Sequence, residues 1–196
     1  MPHPDYSPQL ATLVKEPPSG AGWLHEIKYD GYRIGCRIRN GRVTLISRNG
    51  KDWTAAFPEI VAAAADLPVK DALIDGEIAI VLPDGRTSFQ LLQNAFRGER
   101  SEGRLRGTLI YFAFDLLRLD GERLTDRPLV ERKKRLKALL TPRGRGRQRQ
   151  GEGGRIRYAD HVEGDGEAFY DQARRLGLEG IISKRASEPH RPRPPR

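Results

Sequence analysis

The residues best suited to chemistry fall in five short clusters. Glu26-Ile27-Lys28-Tyr29-Asp30-Gly31-Tyr32-Arg33 places a lysine two residues before an Asp-Gly pair. Ser47-Arg48-Asn49-Gly50, Asp75-Gly76-Glu77, Tyr111-Phe112-Ala113-Phe114-Asp115 and Glu179-Gly180-Ile181-Ile182-Ser183-Lys184 follow along the chain. A lysine amine, once neutral, is a nucleophile that can attack phosphorus. Carboxylates are hard oxygen ligands for magnesium, and arginine and lysine pair with phosphates. Taken singly, each residue also has an ordinary reading. A lysine beside a turn is usually solvated, an arginine on a strand faces water, and a phenylalanine in an apolar run packs in a core. His3, His25, His161 and His190 show no metal-ligand spacing. Cys36 is the single cysteine, which excludes a disulfide framework and a multi-cysteine zinc site.

The elements that must carry these clusters can be read from periodicity. From 32 to 38 the even positions are Tyr32, Ile34, Cys36 and Ile38, a period-2 strand, and Asn40-Gly41 signals a two-residue hairpin into a return strand over 43–46. Residues 58–67 read as a helix with Pro58 in its first turn, and 72–82 as a strand closed by Pro83-Asp84-Gly85. Ser88 caps a helix running to Phe96. The stretch 108–119 is almost continuously apolar, as in a strand buried on both faces. A basic helix over 128–140, a short strand over 155–158, a helix over 165–176 with an Asp165 cap and Gly177 beyond its end, and a strand over 178–184 complete the order. Hairpins mixed with helices, without regular βαβ alternation, point to an α+β class: two packed, mainly antiparallel sheets flanked by helices. Trp23 and Trp53 read as structural, and Cys36 as packed on its strand.

The chain has 196 residues and a formal charge of +9. That length suits one domain of about 100–200 residues with its own core. The basicity is local. Nine basic residues and one acidic lie between Glu131 and Arg149, and four arginines and one glutamate between Arg185 and Arg196. Clustered arginine and lysine suit a polyanion such as nucleic acid, or else form a solvated helix face and chain ends. No stretch approaches the roughly 18–20 apolar residues of a membrane span. The N-terminal Met1-Pro2-His3-Pro4-Asp5 lacks the basic and apolar regions of a signal peptide. The expectation is a soluble, cytosolic protein without a membrane partner. Its parts are an extended leader over 1–22, a folded body over 23–186 with a flexible basic insert at 141–154, and a Pro/Arg-rich tail over 187–196.

Together, and in this order, the clusters resemble the motifs of the nucleotidyltransferases, the family of ATP-dependent DNA ligases, RNA ligases and mRNA capping enzymes. The flanks, Pro8-Gln9-Leu10-Ala11-Thr12-Leu13-Val14 and Trp23-Leu24-His25-Glu26, are most similar to the ligase domain of the bacterial end-joining DNA ligase D family. The resemblance covers residues 7–186. It implies the ATP-grasp-like nucleotidyltransferase fold and a lysyl-AMP formed at Lys28, with AMP passed on to a DNA 5′-phosphate in strand-break repair. A free lysine titrates near 10.4, so nearby positive charge and desolvation must bring the amine toward its reactive form. The resemblance also implies roles around the nucleotide. Glu26 and Ile27 read the adenine edge, Phe114 stacks on the base, and Arg33, Arg48 and Lys184 meet ribose and phosphates. Glu77 accepts from the ribose or supports a metal, and Glu179 is the principal carboxylate for Mg2+ or Mn2+. Arg143, Arg145, Arg147 and Arg149 are candidate contacts to a DNA backbone. The implied setting is the bacterial cytosol or nucleoid, as a monomer acting on nicked or broken DNA with end-joining factors.

One departure stands out. The family carries a further Trp/Leu-Lys-x-Lys strand and an oligonucleotide-binding domain, and neither is present here. The expectation is that step one is within reach of these residues, while complete sealing needs more. A fragment of a longer ligase, a split enzyme with a separate second domain, and a non-catalytic remnant are the alternatives, beside an RNA ligase or capping-type enzyme on the same fold.

Overall fold

A computed structural model describes residues 6–96, 107–141 and 154–192. β1 (Trp23–Ile27) leads through the Asp-Gly turn to the hairpin of β2 (Tyr32–Arg39) and β3 (Arg42–Ser47). Asn40 (φ 49°) and Gly41 (φ 78°) form its turn, the left-handed pair whose twist matches the flanking strands. There follow α1 (Pro58–Ala65), β4 (Asp71–Val81), α2 (Phe89–Phe96), β5 (Thr108–Leu119) and β6 (Glu122–Arg123). α3 (Leu129–Leu140), β7 (Ile156–Tyr158), β8 (Val162–Glu163), α4 (Gly166–Arg175) and β9 (Ile181–Arg185) complete the described chain. The larger sheet runs β3-β2-β4-β5-β6, with β7 also on β5, and the smaller runs β8-β1-β9. Every pairing is antiparallel except β5 with β7. This is the α+β arrangement of antiparallel sheets and flanking helices that the sequence predicts.

The main core lies between one face of the larger sheet and the helices, around Ile34, Cys36, Ile60, Ile74, Tyr111 and Leu136. Cys36 is fully buried, and burial pushes its thiol up to about 12, so it packs as a neutral, apolar group. The other face is covered in part by the N-terminal segment. Tyr6, 2% exposed, packs with Ile46, Leu73 and Leu117, and its hydroxyl donates to Asp75 Oδ1 at 2.7 Å.

At the other end, residues after β9 run back to the start of α3. That helix has no side-chain cap, and Leu129 N–H donates to the Glu188 carbonyl and Val130 N–H to the Ala186 carbonyl. Two of the helix's orphan donors are satisfied in this way. β9 begins at Ile181, three residues later than periodicity suggests, and just before it the Gly180 carbonyl accepts from Lys28 N–H at 3.0 Å. Among the described residues no helix is long and apolar enough to cross a membrane.

Candidate active site

Lys28 stands just beyond the end of β1, where the chain turns from the small sheet into the large one. Gly31 holds that turn. A Cβ there would fall far inside the carbon–oxygen contact distance to the Ile78 carbonyl oxygen, so no other residue fits without moving the strand. Asp30 ties the turn to the start of α2: its N–H donates to Thr87 Oγ1 at 3.1 Å, and its Oδ2 accepts from Phe89 N–H at 3.4 Å. On the large sheet Arg33 of β2 is in register with Glu77 of β4. On the small sheet Leu24 and Glu26 of β1 face Lys184 and Ile182 of β9.

These placements converge on one cavity of about 1200 Å³ between the sheets. Every nucleophile, nucleotide and metal residue expected from the sequence, from Glu26 through Lys184, lines it. Arg143, Arg145, Arg147 and Arg149 lie outside the described residues. Lys28 forms an ion pair with Glu179, each side chain being about two-fifths exposed (42% and 43%). Arg48, in the turn after β3, is exposed toward the same space, and Ile27 forms part of the wall.

Arg33 is anchored. Its Nε and Nη2 donate to the two carboxylate oxygens of Asp75 at 3.1 and 2.7 Å, and its Nη1 donates to the Gln9 carbonyl at 2.6 Å. Its guanidinium carbon lies 5.2 Å from the centre of the Phe114 ring, and the Lys184 ammonium lies 4.3 Å from it, both within cation–π reach. Burial raises the Glu77 carboxyl to about 7, with Arg33 and Lys28 pulling the other way.

At the base of the cavity the sequence reading missed two partners of its carboxylates, Lys133 and Arg132. Glu26 is 2% exposed, and Lys133 and Lys184 each donate to one of its oxygens, at 2.7 and 2.6 Å. Burial holds the Lys133 ammonium below the ordinary lysine value, and Glu26 opposes that shift. Beside it, Arg132 grips Asp115 through Nε and Nη2 at 2.8 and 2.9 Å. Burial alone would raise the Asp115 carboxyl, but His190 and Arg132 override it and hold the group well below the usual carboxylate range.

Arg132 and Lys133 therefore leave the basic surface that the 131–149 stretch was expected to offer. They are 2% and 1% exposed and serve as counterions inside the fold. A signal was present. The buried positions of α3 are Leu129, Arg132, Lys133, Leu136 and Leu140, so both cations sit in the apolar stripe and not opposite it.

Among the described residues no group of three or more His, Cys, Asp or Glu is placed to hold a metal. Glu179 and Glu77 both line the cavity, and their carboxylate oxygens are the hard ligands that would suit a magnesium ion.

Residues 8–194 match the sequence model of the ATP dependent DNA ligase domain. The chain belongs to this family. The multifunctional non-homologous end joining protein LigD of Pseudomonas aeruginosa is 39% identical to this ligase domain over 193 residues, 98% of this chain and 21% of that protein. The LigD DNA repair protein of Mycobacterium tuberculosis H37Rv is 33% identical over 170 residues, 87% of this chain and 20% of that protein. The chain thus spans about a fifth of the length of these relatives. Among solved structures, a mycobacterial DNA ligase D complexed with ATP and MES superposes with a TM-score of 0.75 at 29% identity, covering 96% of this chain and 56% of that one. The ATP-dependent ligase of bacteriophage T7, at 20% identity and a TM-score of 0.54, shares the fold.

Proposed function

We propose that this ligase domain carries out the self-adenylation step of an end-joining DNA ligase. The observation that carries the reading is the cavity in which the Lys28 amine shares walls with Phe114, Glu77, Arg48 and Lys184. In the first step the Lys28 Nζ lone pair attacks the α-phosphorus of ATP. The N–P bond forms, the bond to the pyrophosphate oxygen breaks, and the amine releases a proton to solvent. Phe114 supports the base, Glu77 accepts from the ribose, and Arg33, Arg48 and Lys184 supply positive charge around the phosphates. Glu179, with Glu77 as the alternative to its ribose role, would hold Mg2+ or Mn2+, whose chemistry would be to neutralise phosphate charge.

AMP then passes to a DNA 5′-phosphate, and a 3′-hydroxyl displaces it to close the strand. We assign these later steps to the domain acting on nicked or broken DNA together with an oligonucleotide-binding domain and end-joining factors. The proposed setting is the bacterial cytoplasm, with this domain as a monomer.

The test is incubation with α-labelled ATP and magnesium, beside Lys28→Ala and beside labelled GTP, followed by denaturing electrophoresis and intact mass. One AMP added to wild type and absent from Lys28→Ala is the expected result. Labelling that survives the substitution, or a preference for GTP, overturns the reading.

A further inference from the structure

Glu26 carries a cation on each oxygen, and the two cations differ in kind. Lys184 belongs to the cavity wall. Its side chain is 23% exposed, and its ammonium sits 4.3 Å from the Phe114 ring centre. Lys133 comes from α3 beneath, is 1% exposed, and has all three protons spent. Its Nζ donates to Glu26 Oε1 at 2.7 Å, to the Ala159 carbonyl at 3.0 Å and to the Phe114 carbonyl at 3.4 Å. The Tyr158 ring, 4.7 Å away, closes over it. One of the two cations can swing into the cavity and the other is locked in place.

A base stacking on Phe114 from the cavity meets the Lys184 ammonium there. To make room, Lys184 must give up both the ring and Glu26. Moving it to a phosphate exchanges one ion pair for another, which is nearly balanced only if the carboxylate left behind keeps a partner. A buried carboxylate without one is strongly disfavoured.

We propose that Lys133 is a positioning residue for nucleotide binding. As the permanent counterion of Glu26, it lets Lys184 leave that carboxylate and the Phe114 ring for the phosphates of an entering nucleotide. The inference rests on the reading of the cavity as an ATP site. It makes Lys184 a cation with two anionic stations, Glu26 in the free protein and the polyphosphate in the loaded one, and it makes Lys133 the reason the first station can be vacated.

The test is calorimetric titration of the whole chain with ATP and magnesium, with thermal melts to establish folding. Lys133→Gln keeps donors for the two carbonyls and removes the charge; it is expected to weaken ATP binding by about tenfold or more. In a Glu26→Gln background there is no carboxylate for a departing Lys184 to strand, so the same substitution should change affinity by less than about threefold. A purely structural role for Lys133 would give equal losses in both backgrounds. That result, or wild-type affinity in Lys133→Gln, overturns the proposal.

Lys184→Met, at a partly exposed position, keeps the proposal falsifiable if both Lys133 variants unfold. It uncovers the ring and removes the phosphate partner, so adenosine should bind more tightly while ATP binds less tightly. No gain for adenosine also overturns the proposal. Wild-type protein that binds no ATP at all removes the underlying reading of the site, a different outcome from wild-type binding with uncoupled variants.

Discussion

Glu77 offers a direct check on how the cavity is built, because its charge and its burial are opposed. It stands on β4 in register with Arg33 and faces the space above Lys28. Burial lifts its carboxyl from 4.5 to about 7, against the pull of Arg33 and Lys28. The folded protein therefore binds this proton more tightly than the unfolded chain does. Between pH 4.5 and 7 the folded state carries more of the proton, so the group's contribution to stability falls as pH rises, and the loss is complete above 7. The interval from 4.5 to 7, at about 1.36 kcal/mol per pH unit, sets a ceiling of about 3 kcal/mol on that loss. Solvent at the cavity wall brings it down from there.

Glu77→Gln removes the titration and preserves the shape. Urea unfolding of both proteins in half-unit steps from about pH 5 to 9 should show near-equal stability at the acid end. The variant should then pull ahead through neutrality, by about 1–3 kcal/mol on the alkaline side. A gap that is flat with pH, or that opens toward acid, refutes the assignment of a strained carboxylate to this wall.

Three further perturbations probe the supports of the site. Arg132→Met strands the buried Asp115 carboxylate and should cost about 3–5 kcal/mol by chemical denaturation, with Asp115→Asn in the same chain restoring much of it. Gly31→Ala drives a methyl into the Ile78 carbonyl; it should destabilise by about 1–3 kcal/mol and slow labelling at Lys28 by displacing its turn. Tyr6→Phe removes the 2.7 Å hydrogen bond to Asp75, and urea midpoints should fall by the equivalent of about 1.5–3 kcal/mol, since the acceptor is charged.

What could be read in advance followed from local patterning. The apolar run of β5 is found at 108–119 as expected, the Asn40-Gly41 turn has its left-handed pair, and α4 begins with Asp165 accepting from Ala168 N–H. The expected nucleotide and metal residues could be placed in advance, because each sits within one of the short motifs that carry the family resemblance, and all of them line the cavity. What stayed hidden depends on partners far apart in the chain. Lys133 meets Glu26 across 107 positions, and nothing local to either predicts the meeting. Charge also misleads when it is only counted: in the 131–149 stretch Arg132 and Lys133 add to the basic total, yet both point inward because they share a stripe with Leu129 and Leu136. The two-residue strands β6 and β8 and the parallel β5–β7 pair carry too few residues to show a period.

The small sheet joins residues from opposite ends of the described chain, since β1 pairs with β8 and β9, and Glu26 is 158 positions from Lys184. On a translating ribosome, β1 and Lys28 emerge early and must wait. Closing so long a loop is entropically slow compared with forming the β2–β3 hairpin. The large sheet can therefore consolidate through β5 while the strand that leads into the nucleophile still has bare edges. Synthesis arrested before Ile181 would leave a nascent chain with most of its core and no assembled cavity, and β1 with the edge that β9 covers left bare for chaperones and proteases to recognise.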